Sequence, residues 1–194
     1  MGGALKHGLA NLFNGNGRDA RQTFWYYVLG IFILRFVAGL AVSIPLMTHT
    51  IGSAVDSATS GATPEAMQAK MMASMADIMP TIAWFGVAVG VITVLLVAAS
   101  LVRRLHDIGK SGWLVLIPGG LYLYALSQTP AQVDKVMEMM RNLNPETMRN
   151  PMAMMGQQGG FALLTWIPAI IVIVIGCIPS NSGPNQYGDA PVRF

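Results

Sequence analysis

The sequence predicts an all-α membrane protein with four transmembrane helices and short amphipathic, Met-rich helices in its two outer loops. Charged residues are 11% of the chain and hydrophobic ones 53%, whereas a soluble domain carries about 25% charge. The apolar residues fall in long continuous runs with no period-2 alternation, which favours helices over a barrel, the only two architectures that span lipid. The charges collect between those runs. The net charge of +3 is small and scattered, so nucleic acid is not an expected partner.

Residues 1–23 are Gly- and Asn-rich, and Lys6, Arg18 and Arg21 outnumber Asp19. Leu9, Leu12 and Phe13 predict one interfacial turn, stopped by Asn14-Gly15-Asn16-Gly17. The first apolar run is too long for a cleaved signal and reads as a retained anchor. It covers 24–47, about 36 Å of helix, entered through Phe24, Trp25, Tyr26 and Tyr27 as an aromatic belt. Residues 48–80 read as a polar loop, in which Thr63-Pro64-Glu65 opens a short Met-rich helix. The second span, 81–102, carries no charge, and Gly86 and Gly90 form a small-xxx-small patch for close helix approach.

Residues 103–112 are a polar turn. The third run, 113–128, is short and interrupted by Pro118-Gly119-Gly120; if it were re-entrant, the chain would have three spans. A second polar loop follows, with a capping-box pattern at Thr129-Pro130-Ala131-Gln132 predicting another short helix. The fourth span is 161–178 with a kink at Pro168, and 179–194 is a Gly/Pro/Asn-rich, non-helical tail. The whole chain, 1–194, reads as a single membrane domain.

Lys6, Arg18, Arg21, Arg103, Arg104, Lys110 and Arg193 fall in one set of connecting segments, with three acids. Lys70, Lys135, Arg141 and Arg149 fall in the other, with six acids. The Lys/Arg bias therefore places both termini and the 103–112 turn on the cytoplasmic side, and the Met-rich loops outside.

The densest polar stretch is Arg103-Arg104-Leu105-His106-Asp107-Ile108-Gly109-Lys110-Ser111-Gly112-Trp113. Its structural reading is a capped helix-turn-helix: Arg103 and Arg104 at the negative end of a helix dipole, facing lipid head groups, Asp107 within pairing distance of either, Gly109 as a left-handed C-cap, Ser111 capping the next helix, and Trp113 as interfacial anchor. Its sharper reading is an anion or head-group site built on Arg103, Arg104, Lys110 and a titratable His106. Gly109-Lys110-Ser111 is no phosphate loop, because that motif requires a glycine where Arg104 stands. The tail has the turn as its nearest surface; Asp189 is expected to meet Arg103, Arg104 or Lys110, and Asn185 to cap a helix end. The candidate cytosolic polar cluster is therefore Arg18, Arg21, Arg103, Arg104, His106, Asp107, Lys110, Asn185 and Tyr187.

Arg35 lies near the middle of the first span, where an ionisable group costs at least ~2.5 kcal/mol and is a candidate functional residue. No acid lies within any of the four runs. The expected acceptors are backbone carbonyls near Pro118 or Pro168, Ser100, Thr93 or lipid phosphate. Twelve of the fourteen methionines, Met67, Met71, Met72 and Met75 among them, lie in the two outer loops. Thioethers bind Cu(I), but they also pack as flexible apolar groups on helices and bilayers. His7, His49 and His106 stand in separate segments, and neither Gly-x-Ser-x-Gly nor Cys-x-x-Cys occurs. No catalytic residue, metal or cofactor is expected, and Cys177 has no second cysteine to pair with.

Three pieces together resemble the domain of unknown function 805 family of bacterial membrane proteins: Gly17-Arg18…Arg21-x-x-Phe24-Trp25, the whole of 103–113, and Gly183-Pro184-Asn185-Gln186-Tyr187-Gly188. The resemblance implies a small multi-span inner-membrane protein with no established biochemical activity. Similar chains continue the last motif as Gly-Pro-Asp-Pro, whereas here Asp189 follows Gly188 directly and Pro191 comes later. The long Met-rich loops also exceed the family's usual connections. The expected function is a non-enzymatic scaffold, regulator or lipid-interacting protein of the bacterial inner membrane, with membrane lipids, itself or another membrane protein as partners. The alternative is a small transporter or copper-handling protein.

Overall fold

The computed structural model describes residues 1–61, 63–141 and 151–191. These form five α-helices: α1 (Gly2–Ala10), α2 (Arg21–Thr59), α3 (Pro64–Asp107), α4 (Leu116–Arg141) and α5 (Pro151–Cys177), with a 3₁₀ turn at Gly112–Val115 before α4. Among the described residues there is no strand, only an isolated bridge between Asn185 and Gly188 in the non-helical tail.

The helices are longer than the sequence predicts, each for a local reason. α1 covers nine residues where one turn near Leu9 is expected. Its glycines are poor helix formers, but packing on α2 outweighs propensity: Ala4 is fully buried, and a Cβ on Gly8 would lie 2.2 Å from the Tyr27 ring. α2 does not end near residue 47 but runs to Thr59, 39 residues or about 58 Å. The polar segment stays helical because its hydroxyls turn inward on their own helix. Thr48 donates to the Pro45 carbonyl, Thr50 to Leu46, Ser53 to Thr50 and Ser57 to Ser53. Gly61, at φ +69°, then reverses the chain.

Thr63 caps α3 as expected, its hydroxyl accepting from the Ala66 amide at 3.3 Å. The Met-rich helix is not a separate element, however. α3 continues through Pro80 to Asp107, 44 residues in all, with no helix-stop glycine in between. Pro118 sits in the first turn of α4, where its missing N–H costs nothing, so the expected interruption there does not occur. Pro130 lies inside α4 and starts no new helix; Thr129 donates instead to the Ala125 carbonyl. α5 begins ten residues before the predicted 161 and contains Pro168. The rest of the second loop, with Met148, lies outside the described residues.

α2 and α3 are long and apolar enough to cross a bilayer, with mean hydropathy 2.2 and 2.6 in their most apolar windows; α5 adds a shorter apolar stretch, Thr165–Cys177. The helices converge at one end. Phe24 of α2, Leu101 and Leu105 of α3 and Ile175 of α5 form the buried core, with Trp25 edge-on to Phe24 at 5.6 Å. Gly176 lets α5 come in: a Cβ there would lie 2.7 Å from the Trp25 ring and 2.9 Å from that of Phe24. Of the predicted small-residue pair, Gly90 takes the Leu126 side chain of α4, while Gly86 faces open space.

Gly176→Leu is therefore expected to push α5 off α2 and to lower the Tm of purified protein, whereas Gly86→Leu leaves it near wild type. Equal Tm values for the two variants would show that the close approach at Gly176 does not hold the helices.

Candidate functional site: a buried charge knot where the helices meet

The last turn of α3 carries Arg103, Arg104 and Asp107, all buried, the last two completely. Helical geometry sends them in different directions. Asp107 reaches back to Arg104, three residues earlier, and bonds its Nη1. On its other oxygen it accepts from Nε and Nη2 of Arg18, at 3.2 and 3.0 Å. Arg103 pairs instead with Asp19, Nε to Oδ1 at 3.0 Å. Asp19 also accepts from Ser100 at 2.8 Å, and its Oδ1 lies 3.2 Å from His7 Nε2.

Three guanidinium groups against two carboxylates leave an excess positive charge, and main-chain carbonyls absorb it. Arg18 donates to the carbonyls of Asn181 (2.9 Å), Gly183 (2.7 Å) and Gly188 (3.1 Å), fastening the tail. Arg103 donates to those of Asn11 (2.9 Å) and Asn14, just past the C-terminus of α1. Arg104 donates to those of Gly176 and Ile178 at the C-terminus of α5. Two arginines thus sit at the negative ends of helices, where a cation is favoured.

Nearby segments supply the remaining caps. Gly109, at φ +70°, ends α3 as predicted: its amide donates to the His106 carbonyl and that of Lys110 to Leu105, a Schellman pairing. The Asn185 side chain donates to the His106 carbonyl at 2.9 Å, and the Asn181 amide to the Asp107 carbonyl at 3.2 Å. The hydroxyl of Ser180 accepts from the Arg21 amide at 3.3 Å, capping α2 from 159 residues away, and from Arg104 at 3.2 Å. His106 turns outward and stacks on Tyr187, with ring centres 3.9 Å apart and planes 6° from parallel.

Of the candidate residues, the structure brings Arg18, Arg103, Arg104, Asp107, His106, Asn185 and Tyr187 together. Arg21 and Lys110 are exposed at the rim. Two expectations are corrected. Arg103 and Arg104 do not face head groups, because both are buried with their charge consumed by Asp19, Asp107 and carbonyls. Asp189 does not supply the counter-charge; it is exposed, and Asp19 and Asp107 do that work. The sequence reading misses Asp19, His7, Ser100, Ser180 and Asn181. Asp19 directly follows Arg18, and that adjacency is the one local signal for it.

Arg35 lies apart from the knot. Its Nη1 donates to the Tyr122 hydroxyl of α4 at 2.8 Å. Two of the predicted acceptors bond elsewhere: Ser100 donates to Asp19, and Thr93 to the Val89 carbonyl. Among the described residues, no group of three or more His, Cys, Asp or Glu is placed to hold a metal ion.

A family model for proteins of unknown function (DUF805) matches residues 12–189 of the 194. The chain belongs to the DUF805 family. Neither the curated proteins nor the solved structures give a match. The DUF805 match begins at Leu12, before Arg18, and ends at Asp189, just past Gly188, so it includes Arg18, Asp19 and the tail segment that Arg18 binds.

Removing one partner of a buried ion pair costs about 3–5 kcal/mol, because the other charge is left uncompensated. Asp107→Asn strands both Arg18 and Arg104 and is expected to fall in that range, measured as lost thermal stability and membrane abundance. Lys110→Ala, at the exposed rim, is expected to change neither. A stable Asp107→Asn protein would remove the knot's structural role.

Proposed function

We propose that the protein is a four-span protein of the bacterial inner membrane, both termini cytoplasmic, acting without catalysis as a scaffold or regulator that holds lipid at its cytosolic face. The observation that carries the reading is the knot itself: its charged side chains are spent on joining the N-terminal segment, α3, α5 and the tail. Groups so engaged are positioned to hold a shape, and none is left poised as a nucleophile or base.

The four-span count is supported by apolar surface on every long helix. Large apolar side chains stand exposed on α4 (Leu116, Ile117, Leu123) and α5 (Leu163, Trp166, Ile170, Val174), as on α2 and α3. Contiguous surface of this kind suits lipid and not water. The continuity of α4 also supports a crossing, since Leu116 to Val133, the 18 residues ahead of its first charge at Asp134, give about 27 Å. The Lys/Arg bias of the connecting segments then sets the knot inside.

Lipid binding is supported by a groove of about 530 Å³ beside the knot. Val102, Val115 and Leu116 form its apolar wall, His106 and Ser111 its polar side, and the exposed Trp113 flanks it. Apolar walls with a few polar groups, at the level where an indole anchors, suit a phospholipid's glycerol and upper acyl region.

Native mass spectrometry from membranes tests this. Wild type is expected to retain phospholipid, Trp113→Ala to retain less at unchanged Tm, and Gly112→Leu to retain less at a lowered Tm, since a Cβ on Gly112 would already lie 2.8 Å from Val102 and 2.9 Å from His106. Equal lipid retention in all three would sink the lipid reading. Loss of function in Arg103→Lys at full abundance and Tm would overturn the non-catalytic one.

A further inference from the structure

The first 11 residues of α2 are well packed, with Thr23, Phe24, Tyr27 and Ile31 buried. Beyond Ile31 one face of the helix is bare: Phe32, Leu34, Phe36, Val37, Ile44 and Met47 are 55–65% exposed. Arg35 stands on this bare stretch, itself exposed. It is ten residues past Trp25, about 15 Å along the helix, and Tyr122 is nine past Trp113, about 14 Å. Two independent rulers therefore put the Arg35–Tyr122 bond near the midplane of a ~30 Å hydrocarbon core, on the four-span reading on which this inference rests.

At that depth a guanidinium with five N–H donors has, among the described residues, one neutral hydroxyl as acceptor. Beside it lies a depression of about 320 Å³, lined by Phe32, Phe36, Gly39, Leu40 and Ser43 as well as Arg35. Arg35, Gly39 and Ser43 are four residues apart and share a face, and a Cβ on Gly39 would meet nothing within 4 Å. Backbone can approach closely along such a face. What is missing is negative charge.

We propose that this face of α2 docks a transmembrane helix of another protein that carries a carboxylate near the bilayer midplane, paired with Arg35. A second copy of this chain does not fit. None of the runs 24–47, 81–102, 113–128 and 161–178 contains Asp or Glu, and a parallel copy would set Arg35 against Arg35. Arg35 makes the charge contact, Gly39 and Ser43 admit the partner's backbone, and Phe32 and Phe36 flank it. Tyr122 holds the guanidinium outward in advance.

The test uses liposomes at pH 8 containing the full-length Cys177→Ser protein with one fluorescent label. The probes are synthetic poly-leucine helices with a central Glu, Gln or Lys, or none. Wild type is expected to bind the Glu helix at least tenfold more tightly than the Gln helix. Arg35→Gln is expected to abolish that preference, and Arg35→Glu to transfer it to the Lys helix. Equal binding of the Glu and Gln helices to wild type overturns the proposal, as does a preference that survives in Arg35→Gln. Self-association lost in Arg35→Gln assigns the face to a second copy and overturns it too. Thiol labelling of Lys6→Cys and Asp56→Cys in the same liposomes separates the two readings. Opposite sides without a Glu preference sink the docking site alone; the same side sinks the four-span topology and the docking site with it.

Discussion

The structure depends on the balance struck by Arg18, Arg103 and Arg104 with Asp19 and Asp107. Five charged side chains buried together would be costly if paired only with one another, since desolvation rivals the Coulombic gain. The excess cation makes the arrangement work, because each guanidinium has donors left over for carbonyls that need them. Chain ends and helix ends are where such carbonyls occur. Arg18 satisfies three in the tail, Arg103 two beyond α1, and Arg104 two at the end of α5. Segments separated by up to 170 residues are thus joined through the last turn of one helix. The apolar core of Phe24, Leu101, Leu105 and Ile175 is built around that same turn, so packing and polar bonding reinforce one another there.

This joint explains the shape of the remainder. The helices are most closely packed where they meet and expose large apolar side chains away from it, as α2 shows on passing Ile31. In water such surface would collapse or aggregate; in lipid it needs no partner. On the four-span reading the end where the helices meet has to be fixed by specific bonds, because between helices in lipid the hydrophobic effect supplies little drive.

The sequence was informative where the signal is local. The all-helical class, the Thr63 cap, the left-handed Gly109, the tail's lack of helix and the meeting of Arg18, residues 103–107 and the 185–187 segment were all readable from composition, cap chemistry and order along the chain. Helix lengths were not. Thr48, Thr50, Ser53 and Ser57 look like loop residues, yet they bond their own helix; Pro80, Pro118 and Pro130 look like breaks, yet lie within helices. Charge roles were misassigned for a related reason. A sequence shows that Arg103 and Asp107 are within reach on one helix, but not that Asp19, on a different segment, is the better partner. Pairing between distant segments is a property of the packed state, and local spacing cannot report it.

The chain treats the same residue type in opposite ways, and the contrast locates where it is unfinished. At the knot every arginine is enclosed, paired with a carboxylate and bonded to carbonyls. Among the described residues Arg35 has one hydroxyl, no carboxylate, and an open apolar face beside it. A chain that buries three guanidinium groups at the knot, with Arg103 Nη2 and Arg104 Nε as buried donors without a hydrogen-bond partner among the described residues, has no stereochemical difficulty in supplying an acid for a fourth; a single Asp or Glu on α4 near Tyr122 would suffice. Tyr122 instead offers a group that orients the guanidinium without neutralising it. An oriented, uncompensated charge in a low-dielectric region is a poor structural element and a strong recognition element, because its interaction with an opposite charge is screened least there. On the proposed docking, the two arginine environments divide the molecule's work: the knot closes the fold on itself, and Arg35 leaves it open to a partner.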